Sequence, residues 1–322
     1  MSISYHPSRV QAFETRAIRV DTPSVWLFPG LGSRFVGMGG DLIGSTPLAN
    51  ELIQQSSDWL NYDVEAVCLE GSGRKNVPPK IESQVLYVVN CIYAEVLKDN
   101  GYFPQMVCGH SLGSWAAAYA AEVYDFITGL ELVTEVETIL DDRAVESPEA
   151  MGVILGLPLL EVTDLLSRHT GASLANLNCP GQYVLAGDAT AIEQSLEAAI
   201  AQGAYKTKRL ESTRAFHTKR LGQIHAQIKE LFVSRTLRDP ACPFVSTFQS
   251  KPLTTGSAIE DYLLQFLYQP VYWEETITSL CSLRSVDQFL EVGPGTVLCD
   301  LMGYIDSSVA IQTASDFLYE NA

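Results

Sequence analysis

No stretch of the chain approaches the roughly eighteen consecutive apolar residues of a membrane-spanning helix, so no helical span is expected. The opening Met1-Ser-Ile-Ser-Tyr-His-Pro lacks the charged-then-apolar pattern of a signal peptide, so secretion is not expected and a cytoplasmic protein is. Seven cysteines (Cys68, Cys91, Cys108, Cys179, Cys242, Cys281, Cys299) are scattered, with no C-x-x-C pair and no Cys/His cluster. They read as apolar fillers in a reducing compartment, not as disulfides or metal ligands, and no metal site is expected. Positive charge is scarce: 21 Lys and Arg stand against 38 Asp and Glu, a net charge of −17. That balance disfavours nucleic acid and anionic membrane as partners.

What is present is a core-forming chain: 322 residues, 47% hydrophobic and 18% charged. That length suits one main domain with a smaller inserted one better than two equal halves. Ser24-Val-Trp-Leu-Phe28 reads as a buried strand ended by Pro29-Gly30-Leu31-Gly32-Ser33, and Gln84 to Asn100 reads as a helix leading to a second strand. Alternation of this kind predicts a parallel sheet with helices on both faces. From about 148 to 212 the rhythm changes. Strand Gly152–Gly156, helix Leu160–Arg168, strands Ser173–Asn178 and Gln182–Ala186, helix Ala191–Ala201 and strand Ala204–Arg209 give the order βαββαβ of a ferredoxin-like unit. The expected organisation is a leader over 1–22, a large α/β-hydrolase-like domain over 23–147 and 213–322, and a small ferredoxin-like subdomain over 148–212. A cleft between the two is expected to hold the site.

Residues 109–113 read Gly-His-Ser-Leu-Gly, between the apolar Met106-Val107-Cys108 and the helix-like Ser114-Trp-Ala-Ala-Ala. A strand, a sharp turn with small flanking residues and a helix make a nucleophile elbow. It lifts Ser111 to the top of the sheet and aims the Leu112 amide at a carbonyl the serine attacks, near the positive end of the helix. The pentapeptide alone is weak evidence, since a tight turn whose serine caps a helix has the same letters. A serine hydroxyl needs a neighbouring imidazole to take its proton. Of five histidines, His110 is fixed in the elbow, His6 lies in the leader, His169 in the small subdomain and His225 on a helix, which narrows the choice of base.

Further motifs follow in order: Phe28-Pro29-Gly30-Leu31-Gly32-Ser33, Gly37-Met38-Gly39, Asn178-Cys179-Pro180-Gly181-Gln182, Ala215-Phe216-His217, Gln269-Pro270-Val271-Tyr272-Trp273 and Glu291-Val292-Gly293-Pro294-Gly295. With Gly109–Gly113 they resemble the malonyl-CoA:acyl-carrier-protein transacylase family, including the acyltransferases of polyketide synthases, over roughly residues 24–305. Leu86-Tyr-Val-Val-Asn90 and Asp125-Phe-Ile-Thr-Gly-Leu130 are closer to the freestanding polyketide enzymes. The resemblance implies a dyad of Ser111 as nucleophile and His217 as base. It places the histidine-orienting backbone carbonyl at Phe266 and the oxyanion hole at the amides of Leu31 and Leu112. Leu31 replaces the usual glutamine there, but a backbone donor survives the exchange. Gln84, His110, Val136, Asn178, Gln182, Arg214 and Phe216 align with or adjoin the family's substrate pocket.

One departure bears on the substrate. Malonyl-type enzymes carry an arginine about twenty-five residues after the serine, whose forked guanidinium grips the free carboxylate of the acyl group. This chain has Val136 there, flanked by Glu135 and Glu137, which repel a carboxylate. Arg143 lies about 10 Å further along the same helix, too far for a straight helix to deliver. Arg214, three residues before His217, is the other candidate rescue. Arg34, Ser114 and Leu221 stand where the family usually has glutamine, glutamate or glutamine, and methionine.

The function expected is transfer of a non-malonyl, non-carboxylated acyl group from a carrier-protein or CoA thioester to an acyl carrier protein, in polyketide-type biosynthesis. An editing hydrolase that clears acyl groups from carriers is the alternative, and a catalytically silent docking scaffold the remaining one. No bound cofactor is expected; the acyl group travels on phosphopantetheine. Acyl carrier proteins are acidic, and six of the 21 basic residues fall within 206–220. Lys206, Lys208, Arg209, Lys219 and Arg220 are therefore the expected docking residues for the carrier. A monomer is expected from the resemblance.

Overall fold

The structure, a computed structural model, describes residues 24–70, 77–143, 145–283, 285–286 and 288–321. The expected leader 1–22, with His6, lies outside the described residues. Strand β1 (Ser24–Phe28) is followed by helices α1 (Pro47–Leu60), α2 (Val64–Leu69) and α3 (Pro79–Asp99). Then come β2 (Met106–Gly109), α4 (Gly113–Ala120) and α5 (Phe126–Asp142). Strand β3 (Glu149–Leu155), helix α6 (Leu159–Arg168), strands β4 (Ala172–Cys179) and β5 (Gln182–Asp188), helix α7 (Ala189–Ala201) and strand β6 (Lys206–Arg209) form the βαββαβ series. The chain continues through α8 (His225–Phe232), β7 (Phe244–Ser246), β8 (Lys251–Leu253), α9 (Gly256–Gln265), β9 (Val271–Tyr272) and α10 (Trp273–Cys281). Strand β10 (Gln288–Glu291), α11 (Val297–Ile305), β11 (Ala310–Thr313) and α12 (Ala314–Glu320) complete it. None of the described helices is long and apolar enough to cross a membrane.

The large sheet has the order β11-β10-β1-β2-β7-β8. Every neighbouring pair is parallel except β7 and β8, which run antiparallel, so the expected all-parallel sheet carries one reversed edge strand. Parallel strands covered on both faces are apolar throughout, and β1 shows it: all five of its residues are buried. Trp26 and Phe28 point into the core that α3, α4 and α5 cover, while Val25 and Leu27 point into a second core with α10 and α11. Helix α3 starts at Pro79 rather than at Gln84, because a proline with fixed φ initiates a helix without losing a needed donor.

The small sheet has the order β6-β3-β5-β4-β9. Its fifth strand, β9, comes from the returning chain and pairs parallel with β4 through Asn176↔Val271 and Leu177↔Tyr272. Two residues are too short a run to read as a strand in sequence. One face of this sheet packs on α6 and α7 through Ala150, Ile154, Leu185 and Ile192. Its other face, with Met151, Val153, Leu155 and Val184, meets Ala215 and Phe216, the two residues before His217. His217 thus hangs from the seam between the two sheets.

Candidate active site

Strand β2 ends at Gly109 and α4 begins at Gly113, so the chain reverses within three residues. Space requires both glycines. A Cβ on Gly109 would lie 2.2 Å from the Ser114 nitrogen, and one on Gly113 would lie 2.1 Å from the Phe28 carbonyl oxygen of β1. The sharpness of the turn falls on Ser111, whose φ is 53°. A non-glycine residue there stores about 1–2 kcal/mol of strain. The result is a serine hydroxyl lifted clear of the backbone.

His217, also held at positive φ (60°), points its Nε2 at Ser111 Oγ, 2.7 Å away. Its Nδ1 lies 2.9 Å from the Phe266 carbonyl oxygen and 3.2 Å from that of Gln269. A carbonyl oxygen only accepts, so Nδ1 carries the proton and Nε2 presents its lone pair to the serine. The backbone amide of His217 donates to the Leu267 carbonyl (2.7 Å), which fixes the main chain as well. Sequence reasoning placed one acceptor, Phe266; Gln269 is a second that it missed, because a backbone oxygen leaves no mark in the side-chain letters.

His217 is 2% exposed, and burial lowers its pKa from 6.5 to about 4, against the raising effect of the Phe266 and Gln269 carbonyls. The imidazole is thus a neutral base at physiological pH. The rate of serine acylation is expected to stay level from neutral pH down to about 5 and to fall below about 4 as Nε2 takes a proton. Rapid-quench measurement of the acyl adduct against pH checks it; a limb near 6.5 would mean a solvated ring. Stability shifts in the same sense. The unfolded histidine binds its proton first, so the stabilisation from the neutral ring is complete above 6.5 and lost as pH falls towards 4.

Leu112 is the N-cap of α4, where first-turn amides have no acceptor within the helix, and the helix dipole adds positive potential. Leu31 opens the short 3-10 turn Leu31–Ser33 after β1. The two segments are stitched together: the His110 amide donates to the Phe28 carbonyl (2.9 Å), and a Cβ on Gly30 would sit 3.5 Å from Ser111 Cβ. Asn90 on α3 donates to the Pro29 carbonyl (3.0 Å) and fixes the loop from behind. Two preorganised amides beside the serine can stabilise an oxyanion as it forms.

His110 donates Nε2–H to Asn178 Oδ1 (3.0 Å), and Asn178 donates to Gln182 Oε1 (3.0 Å). Trp273 stands edge-on to the His110 ring at 5.0 Å, and burial lowers the pKa of His110. The β4–β5 hairpin is in this way tied to the elbow, and His110, Asn178 and Gln182 are brought together. Gln84 is not with them. Its side chain accepts from Tyr62 (3.1 Å) and donates to Thr134 (2.9 Å), so it is used in joining α3 to α5. Val136 is 3% exposed and belongs to the core between the large sheet and its helices.

The charges around Val136 are arranged in pairs. Arg214 bonds Glu137 (2.5 Å) and Asp141 (2.5 Å) from α5, and Glu137 also accepts from Ser83 (2.6 Å). Arg143 is taken by Glu149 through both terminal nitrogens, and Arg34 pairs with Glu82 at 3.0 Å. Burial pushes the Glu82 carboxyl up, and Arg34 offsets part of that. Arg214 lies over Phe216, 5.9 Å from its ring centroid, which joins this network to the histidine loop. The sequence offered Arg214 as a candidate grip for an acyl carboxylate; its partners, more than seventy residues away, could not be read.

The basic segment is divided by the sheet. In the β3–β6 register Lys206 faces Leu155 and Lys208 faces Val153, which puts both lysines on the sheet face that packs towards Phe216. Arg209 turns to the helix side and pairs with Glu193 of α7, and Arg220 pairs with Asp188 (2.5 Å). Of the five expected docking residues, Arg209 and Arg220 each share their charge with a neighbouring carboxylate at the surface, and Arg209 remains exposed. Lys206 and Lys219 are exposed and Lys208 is half-buried.

Residues 25–304 match the acyl transferase domain family. The chain belongs to that family. Among similar proteins, the malonyl CoA-acyl carrier protein transacylase of Synechocystis sp. is 33% identical over 278 residues, covering 86% of this chain and 92% of that protein. The polyketide biosynthesis protein ThaF of Burkholderia thailandensis is 31% identical over 284 residues, 86% of this chain but only 24% of ThaF. Among solved structures, a malonyl-transacylase in complex with a type II polyketide synthase acyl-carrier protein superposes with a TM-score of 0.87 at 27% identity, covering 94% of this chain and all of that one. The Synechocystis malonyl-CoA:ACP transacylase gives 0.81 at 30% identity, covering 91% and 97%. The acyltransferase fold, with its hydrolase-like core and ferredoxin-like subdomain, is the one described above.

Proposed function

We propose that this acyltransferase moves a non-carboxylated acyl group from a phosphopantetheine thioester, on a carrier protein or CoA, to an acyl carrier protein of a polyketide-type pathway. Ser111 Oγ attacks the thioester carbonyl while His217 Nε2 takes the hydroxyl proton. The oxyanion forms against the Leu31 and Leu112 amides, the C–S bond breaks, and His217 returns the proton to the departing thiol. A second phosphopantetheine thiol then attacks the acyl-serine, with the proton moving from thiol to His217 to Ser111. No cofactor enters this balance. The carrier as partner and the polyketide setting rest on the names of relatives, among them the complex of a malonyl-transacylase with its carrier protein.

The observation that carries the choice of acyl group is the state of the arginines. Where malonyl enzymes are expected to hold one, Val136 is packed in the core, and Arg34, Arg143 and Arg214 are each already paired with a carboxylate. Freeing Arg143 or Arg214 would leave a buried acid, Glu149 or Glu137, unpaired, at a cost of several kcal/mol. A malonyl carboxylate entering beside Glu137 would meet like charge.

Intact-protein mass spectrometry with malonyl- and non-malonyl-loaded carriers, with and without a second free carrier, tests the reading. A non-carboxylated acyl adduct on Ser111 that moves to the second carrier is expected. Loss of that acyl group to water would make the protein an editing hydrolase, and a malonyl adduct would overturn the substrate assignment.

The docking proposal narrows to Lys206, Lys208 and Lys219. Reversing the charge of Lys206 or Lys208 to glutamate is expected to raise KM for a carrier-borne substrate about three- to tenfold and to leave a small pantetheine thioester unaffected. Equal losses on both substrates would count against docking.

A further inference from the structure

Resting on the reading of Ser111 and His217 as the dyad, we propose that Tyr262 is a positioning residue, whose hydroxyl sets the serine elbow at reacting distance from the helix end that holds the histidine. The two groups arrive from separate parts of the chain, so something between their supports must fix the 2.7 Å gap. Tyr262, on α9, is 2% exposed. Its hydroxyl lies 3.0 Å from Ser114 Oγ, in the first turn of α4, and 2.9 Å from Thr247 Oγ1, just after β7. Ser114 also donates to the Gly109 carbonyl (3.1 Å).

Because that carbonyl only accepts, the proton order follows: Thr247 donates to Tyr262, Tyr262 to Ser114, and Ser114 to Gly109. Gly109 and Ser114 are the two ends of the elbow, so the chain of hydroxyls grips the turn that carries Ser111. The other end of the linkage is the histidine. One turn beyond Tyr262 on α9, the Phe266 amide donates to the Tyr262 carbonyl (2.9 Å), and the two rings stack at 5.8 Å. Phe266 supplies the carbonyl that holds His217 Nδ1, and its ring meets Trp115 of α4 edge-on at 5.5 Å. Burial pushes the tyrosine up to about 12, so it stays a neutral relay of hydrogen bonds and takes no part in proton transfer. Ser114 stands where the family usually has an acidic or amide side chain, so this linkage belongs to this chain's own pairing of serine with tyrosine.

The test compares the wild-type protein with Tyr262→Phe, Ser114→Ala and the double variant. Each is labelled with a fluorophosphonate over a range of concentrations and pH, and Ser111 modification is followed by mass. Phenylalanine keeps the stacked ring and removes only the hydroxyl. The saturating rate constant is expected to fall about tenfold in each single variant, since small displacements of reacting groups have effects of this size. The half-saturating concentration should be unchanged, and the acid limb should move up from about 4 towards the ordinary histidine value of 6.5. The double variant should be no slower than either single one, because both break the same link. Loss of folded protein lowers the amplitude of labelling and leaves the rate constant of the remainder alone, so a purely structural role gives that pattern. Unchanged rate constants, or single effects that multiply in the double variant, would overturn the proposal. Absence of label on wild-type Ser111 would instead remove the nucleophile reading, and the positioning role with it.

Discussion

Ser111→Ala is expected to leave no acyl adduct and to reduce acyl transfer by at least about a thousandfold, with little change in melting temperature. The hydroxyl is the only atom lost, and alanine accepts the φ of 53° with about the same strain as serine. His217→Ala should cost about as much, because the serine without a base is a weak nucleophile. The double variant should be no worse than either, as expected of groups that act as a unit. Carrier-loading assays by mass, with melts alongside, distinguish this from general damage. An adduct surviving in Ser111→Ala would place the nucleophile elsewhere.

Gly113→Ala is expected to have the largest effect on stability. The added methyl would stand 2.1 Å from the Phe28 oxygen and 2.8 Å from the Pro29 oxygen, both backbone atoms of the segment that carries Leu31. Neither rotates away, so α4 and β1 must separate. A loss of about 3 kcal/mol or more in urea unfolding follows, with loss of Ser111 labelling because the elbow and the segment that carries Leu31 both shift. Gly303→Ala is the control: nothing lies within 4 Å of its Cβ, and it sits inside α11. That variant should gain up to about 1 kcal/mol. If Gly113→Ala unfolds at the wild-type urea concentration, the elbow is less tightly wedged than its geometry implies.

Parts of this site were legible because they are written in local letters. Gly109 to Gly113 between an apolar run and an alanine-rich helix specify the elbow without outside help, while His217 was marked by the resemblance that Ala215-Phe216-His217 carries. The βαββαβ series could be read from alternating periodicity, since each element of it is long enough to show a period. What could not be read depends on pairing across the chain. Arg214 finds Glu137 and Asp141, and Tyr262 finds Ser114, across separations that leave no spacing to recognise. Gln84 aligns with a family pocket position; here Tyr62 and Thr134 take its side-chain hydrogen bonds. Arg209 and Arg220 looked like part of a basic patch because a count of charges by position ignores which sheet face each occupies. Val136 was the exception: one residue whose chemistry is informative whatever surrounds it, since no packing gives valine a charge.

The order of strands in the large sheet has a consequence for how the protein is made. Strand β1 is buried on both faces and lies between β2 and β10. Its first partner follows within about eighty residues of chain, but the second is not synthesised until residues 288–291 leave the ribosome. During translation the most apolar strand of the sheet therefore carries one open hydrogen-bonding edge for most of the chain's length, beside a subdomain of mostly local antiparallel pairs that is free to fold early. Nascent chains stalled before residue 288 are a population on which a holdase chaperone would act.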